Sequence, residues 1–131
     1  MCVRCGLPSS AFSVRLDYTY TQATDDLAQQ ELLRRPKNKF NLIATWQATR
    51  ALLLNLGVLA VSSWVDGNRD FSIPRLDAPG YATVNVAASY ALSQHFGIFG
   101  RIDNLFDRQY QNPVGFMQPG FGAYAGVKAQ L

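Results

Sequence analysis

The chain has 131 residues, of which 48% are hydrophobic, 12% aromatic and only 16% charged, with 10 glycines and a net charge of +3. That length allows one domain, the apolar content excludes a disordered chain, and the charge content lies below the usual quarter or so. The one basic cluster, Arg34, Arg35, Lys37 and Lys39, is too short for a nucleic-acid footprint, which needs a basic face.

Residues 1–10 show no alternation and are expected to be an irregular N-terminal segment. They lack the apolar stretch of a signal peptide, and Cys2 and Cys5 form a lone CxxC without the second ligand pair a zinc site requires. From residue 11 the pattern changes to period 2, the signature of strands with two different faces. In the segment 11–21, Phe12, Val14, Leu16, Tyr18 and Tyr20 share one face, and Ser13, Arg15, Asp17 and Thr19 the other. In 38–48, Phe40, Leu42, Ala44 and Trp46 oppose Lys39, Asn41, Thr45 and Gln47, with Ile43 breaking the rule. The segment 52–65 reads as a single strand with Leu52, Leu54, Leu56, Val58 and Trp64 on one face. The segment 81–92 sets Val84, Val86, Ala88 and Tyr90 against Thr83, Asn85, Ala87 and Ser89. Two further strands are expected over 96–105 and 121–131.

The connections sort into two kinds. Residues 22–37, 66–80 and 106–120 are long links, whereas 49–51 and 93–95 are tight turns, and the two kinds alternate along the chain. Short turns at one end and long loops at the other are what a transmembrane barrel shows. Strands of roughly 10 residues suit a tilted span. Aromatics fall near the turns (Trp46, Tyr90, Phe96) and near the loops (Tyr18, Tyr20, Phe40, Trp64, Tyr81, Tyr124), as two interfacial girdles would. No transmembrane helix is expected, because the most apolar window, 42–61, has Arg50 at its centre, at a cost of about 2.5–3.5 kcal/mol. The fold class is therefore all-β: an antiparallel up-and-down meander of about six long strands, part of a larger barrel. The alternative is a soluble small β-barrel whose apolar face lines a ligand cavity.

The run Ile102, Asp103, Asn104, Leu105, Phe106, Asp107 with Tyr110, then Pro119 and Gly120 before a terminal strand, resembles the C-terminal end of a TonB-dependent outer-membrane receptor. Arg34, Arg35 and Pro36 ahead of one strand, and Asp77 to Tyr81 opening another, are weaker echoes. The vitamin B12 branch looks somewhat nearer than the iron–siderophore branch. Such receptors are barrels of about 22 strands with a plugged lumen. The resemblance implies that residues 11–131 are an incomplete barrel domain in the bacterial outer membrane. It also implies energised uptake of a scarce ligand, with TonB acting only through a plug that this chain lacks. The other implied partners are outer-membrane lipid, the rest of the barrel and the barrel-assembly machinery. The family's usual terminal aromatic is replaced by Leu131, although Val127, Ala129 and Leu131 keep the alternation of a C-terminal assembly strand.

No cofactor, metal or catalytic constellation is read from the residues. Arg101, Asp103, Asp107 and Arg108 read as mutually paired charges lining a polar wall, and Asn104 to Asp107 as a strand-to-loop corner, with Asn and Asp capping the turn and Leu105 and Phe106 packing. Specific ligand contacts are unknown. If any exist they would come from polar loop residues, among them Asp25, Asp26, Arg34, Arg35, Asp66, Arg69, Asp70, Gln109, Gln111 and Asn112.

Overall fold

A strand whose odd and even residues differ in polarity gains most when its neighbours present the same chemistry on the same side. The computed structural model, which describes residues 2–8, 11–25, 27, 30–67, 72–73 and 75–130, shows that arrangement. Its strands are β1 (Cys2–Pro8), β2 (Phe12–Tyr20), β3 (Thr24–Asp25), β4 (Gln30–Glu31), β5 (Asn38–Gln47), β6 (Leu52–Val61), β7 (Trp64–Asp66), β8 (Leu76–Ala78), β9 (Tyr81–Ala91), β10 (Phe96–Asp103) and β11 (Gly122–Ala129). One antiparallel sheet runs β1-β2-β5-β6-β9-β10-β11, while β3–β4 and β7–β8 are small ribbons within the long loops. Each strand of the sheet pairs with the next one along the chain, as an up-and-down meander requires.

The register lines up the two faces. Val14, Ala44, Leu56, Val86, Ile102 and Ala123 form one continuous rung, and Phe12, Trp46, Leu54, Ala88, Gly100 and Ala125 another. Between these rungs, on the opposite face, lie Ser13, Thr45, Asn55, Ala87, Arg101 and Tyr124. The polar face satisfies itself locally. Thr45 Oγ1 donates to Asn55 Oδ1 at 2.9 Å, and Arg15–Asp17 and Arg101–Asp103 are ion pairs two residues apart on single strands. The tight turns are closed by hydroxyls: Leu52 N–H donates to Thr49 Oγ1 at 3.0 Å, and Phe96 N–H to Ser93 Oγ at 3.1 Å.

Among the described residues nothing covers the apolar face. Leu56, mid-strand, is 38% exposed and Val127 70%. Among the described residues, the buried hydrophobics are Val61, Trp64, Ala78 and Tyr81, all at the loop end. The accessible surface is 9444 Å², against about 6,900 Å² for a compact monomer of this mass. This overturns the soluble-barrel alternative. The sheet is a single open layer and encloses no apolar cavity, because its first and last strands are not paired to each other.

Three details depart from the sequence reading. The segment 1–10 is not irregular throughout, since Cys2–Pro8 pairs with β2 from Cys2↔Thr19 to Pro8↔Ser13. The edge of β2 offers a row of backbone donors and acceptors, and residues without a periodic pattern of their own take them up. The sheet therefore carries β1 as an added edge strand beside the six expected ones. The segment 52–65 is broken at Ser62 and Ser63, where Ser62 N–H donates to the Asn38 carbonyl at 2.9 Å, opposite Pro79, which has no N–H for the ladder. The loop-end girdle also shrinks. Tyr18, Tyr20 and Phe40 lie on the apolar face, but Trp64 is buried on the other side with Tyr81, which the sequence already puts out of phase with Val84 and Val86, and Tyr124 shares the polar rung of Arg101, the face its own alternation gives it.

The break requires Gly80, where an added Cβ would stand 2.6 Å from the Val61 carbonyl oxygen and 2.9 Å from Ser62 C. Gly80→Ala is expected to cost about 1–3 kcal/mol, as overpacking does. Gly57→Ala, whose new methyl would meet nothing closer than 3.9 Å, is the control. Urea midpoints of the two variants against the unaltered protein measure both.

Candidate functional site

The three long connections meet at the loop end of the sheet, on its polar face. Their shared anchor is Asp66 at the end of β7, which is 0% exposed. Arg34 Nε donates to Asp66 Oδ1 at 2.9 Å, Gly67 N–H to the same oxygen at 2.8 Å, and Val114 N–H to Oδ2 at 3.0 Å. One carboxylate thus holds the loop after β2, the loop after β6 and the loop after β10. Burial by itself would raise the Asp66 pKa, but the Val114 N–H, the Arg34 guanidinium and the Gly67 N–H together hold it below the ordinary 3.8. Arg34 reaches this position with φ 61°, a left-handed conformation, and its own N–H donates to the Val65 carbonyl at 2.7 Å.

Above Asp66 sits an aromatic cluster. Trp64 meets Tyr81 edge-on at 5.9 Å, and Tyr81 stacks on Tyr110 at 4.0 Å. Asn112 Nδ2 donates to the Tyr81 hydroxyl at 3.3 Å. A recess of about 170 Å³ opens beside them, lined by Arg34, Lys39, Trp64, Tyr81 and Asn112.

The corner after β10 is built by two side chains. Asn104, only 5% exposed, accepts from Arg108 N–H at 2.9 Å and donates to the Arg108 and Pro119 carbonyls at 2.9 and 3.4 Å. Asp107 accepts from Phe121 N–H at 2.8 Å, beneath Gly120, where a Cβ would collide with Asp107 Oδ1. Both Asn104 and Asp107 adopt left-handed φ, 51° and 50°. Asn and Asp tolerate that conformation better than other side chains.

The residues singled out in the sequence therefore separate. Arg34, Asp66, Tyr110 and Asn112 come together, and Pro36 and Arg35 line recesses next to them. Asp66 is a buried structural anchor and is not open to a ligand. Asp103 pairs with Arg101, whereas Asp107 takes a backbone N–H, so the four charges do not form one network. Phe106 does not pack. It is 75% exposed, with Leu105 also exposed, because the left-handed residues on either side carry the crest of the corner outward. Val127 and Ala129 lie on the apolar face opposite Ile98 and Phe96. Gln109 and Gln111 are exposed on the loop after β10. Asp26, Arg69, Asp70 and Leu131 lie outside the described residues, as does the side chain of Asp25. Cys2 and Cys5 lie on β1, in register with Thr19 and Leu16 of β2. The sequence reads Trp64 and Tyr81 only as girdle aromatics and does not single out Val114, although Tyr81 is out of phase with Val84 and Val86 and Trp64 follows the Ser62–Ser63 pair.

Residues 7–105 match a family model described as TonB dependent receptor-like, beta-barrel. The chain is 33% identical over 100 residues to the vitamin B12 transporter BtuB of Photobacterium profundum, covering 72% of this chain and 15% of that protein. It is 30% identical over 119 residues to the iron-regulated outer membrane virulence protein of Vibrio cholerae, covering 84% and 18%. The ferric enterobactin receptor PfeA of Pseudomonas aeruginosa has the same fold over 96% of this chain and 21% of its own, with a TM-score of 0.76 at 20% identity. The chain thus spans less than a fifth of the length of the curated relatives it matches.

Proposed function

The chain belongs to the TonB-dependent receptor β-barrel family, and we propose on that premise that it is part of a bacterial outer-membrane receptor for energised uptake of a scarce nutrient, vitamin B12 or an iron–siderophore complex. Its share is barrel wall and three extracellular loops, a transport role and not a catalytic one. The observation that carries this reading is the apolar face, open from β2 to β11, with the long loops gathered at one end.

Such a wall has a physical requirement. In hydrocarbon each unpaired backbone group costs several kcal/mol, and β1 and β11 each have a neighbour on one side only. The incomplete domain accordingly takes in β1 as well as residues 11–131, and its partners are the remaining strands of a larger barrel. A plug inside that barrel would face the polar side of the sheet and carry the contact with TonB. The outward residues of β11, Val127 and Ala129, are the part available to the barrel-assembly machinery, and lipid covers the rest of the apolar face.

The test uses the intact gene product containing this segment, produced in a strain stripped of its own B12 and siderophore receptors. It is expected in the detergent-resistant outer-membrane fraction, and cells are expected to accumulate radiolabelled cyanocobalamin or a ferric siderophore only when TonB is present. Recovery in the soluble fraction would refute the membrane wall. Outer-membrane recovery with TonB-independent uptake would refute the energised step.

A further inference from the structure

We propose that the cleft between the β7–β8 ribbon and the loop after β10 binds an organic cation carried on a flat apolar body, with an amidinium or guanidinium group as the best fit. The cleft holds about 410 Å³, within the range of small-molecule sites. Leu76, Val114 and Met117 give it an apolar lining, and Tyr110 supplies an aromatic wall. That ring is already fixed by its 4.0 Å stack on Tyr81, so presenting it to a ligand costs little further ordering. An aromatic face attracts cations through its quadrupole.

The polar groups of the cleft have the matching sign. Asp77 lines it, is exposed, and has no ion pair among the described residues. Gln109 adds an amide. The contrast across the stack is informative: Tyr81 lines the recess that also holds Arg34 and Lys39. One ring of the pair thus faces a basic recess and the other an acidic cleft. In a chain of net charge +3, a cation needs a local carboxylate beside the aromatic wall, and Asp77 is the acidic group lining the cleft. This assignment goes beyond nutrient uptake and rests on the outer-membrane reading only for the cleft's access to the medium.

Three probes of one shape separate charge from shape: benzamidine as its cation, neutral benzamide and anionic benzoate. Calorimetry on the intact detergent-purified protein is expected to show benzamidine binding at least tenfold more tightly than benzamide, with benzoate giving no measurable heat. Asp77→Asn is expected to remove the tenfold preference while leaving benzamide binding unchanged. Met117→Ala is expected to weaken benzamidine and benzamide alike. Heat-dependent gel mobility confirms that each variant still forms a barrel. Equal binding of benzamide and benzamidine, preferred binding of benzoate, a preference that survives Asp77→Asn, or no binding of any probe would overturn the proposal. Uptake does not enter these readouts, so failure here is distinct from failure of the receptor reading.

Discussion

Replacing Asp66 with alanine is expected to release all three long loops together. The carboxylate accepts from Arg34, Gly67 and Val114, one donor from each loop. Losing one partner of a buried, hydrogen-bonded charge costs about 3–5 kcal/mol, and the lower end applies here because the Arg34 side chain is 51% exposed and regains water. Hydrogen exchange or limited proteolysis should therefore show residues 30–37, 64–67 and 108–118 opening in concert, while the paired residues of β5, β6 and β9 keep their protection. Opening confined to the loop after β6 would show that the carboxylate does not couple the three. The pH dependence has a definite sign. The folded Asp66 pKa lies below 3.8, so the unfolded state binds the proton more readily and the carboxylate stabilises the folded loops. That contribution is full above pH 3.8 and fades as the pH falls through the lower folded value. The latch should hold unchanged through the neutral range and loosen only in strong acid.

The sequence made the wall legible but not the latch, for a physical reason. Face chemistry in a strand is local, since Val14, Leu16 and Tyr18 declare their side without reference to any partner. The pairings β5–β6 and β9–β10 followed from turns so short that neighbours must pair. The Asn104 corner could be read as well, because Asn104 and Arg108 are only four residues apart. Asp66 could not, since its partners in the other two loops are 32 and 48 residues away in sequence. Strict period 2 puts Trp64 on the apolar face, whereas it is buried with Val61 and Tyr81 beyond the interruption of the strand at Ser62 and Ser63. The β1 strand had no pattern to read, and its structure comes from the edge of β2. The exposed Phe106 shows the same limit in reverse, because an apolar residue at a corner is carried wherever the backbone dihedrals of its neighbours point it.

Adjacent residues on β9 offer the sharpest trial of the wall. Val86 lies in the middle of the strand on the apolar rung of Leu56 and Ile102, and Ala87 on the polar rung of Asn55 and Arg101. Lysine at a lipid-facing midplane position of a barrel costs about 2–4 kcal/mol, whereas lumen-facing changes alter mainly selectivity. Val86→Lys is therefore expected to lower the unfolding free energy of the assembled receptor in lipid vesicles by that amount and to reduce the heat-modifiable fraction recovered from outer membranes. Ala87→Lys, one residue further on, is expected to leave both nearly unchanged, despite its larger gain in side-chain volume and its proximity to Arg101. If the apolar rung faced a protein core instead, the Val86 variant would still be harmed, but so would a volume-increasing Val86→Leu, which needs space that a packed core lacks and that lipid supplies freely. A tolerated Val86→Leu beside a damaged Val86→Lys and a near-neutral Ala87→Lys is the pattern that hydrocarbon alone produces. Equal damage from lysine at both positions would place both faces of the sheet against protein.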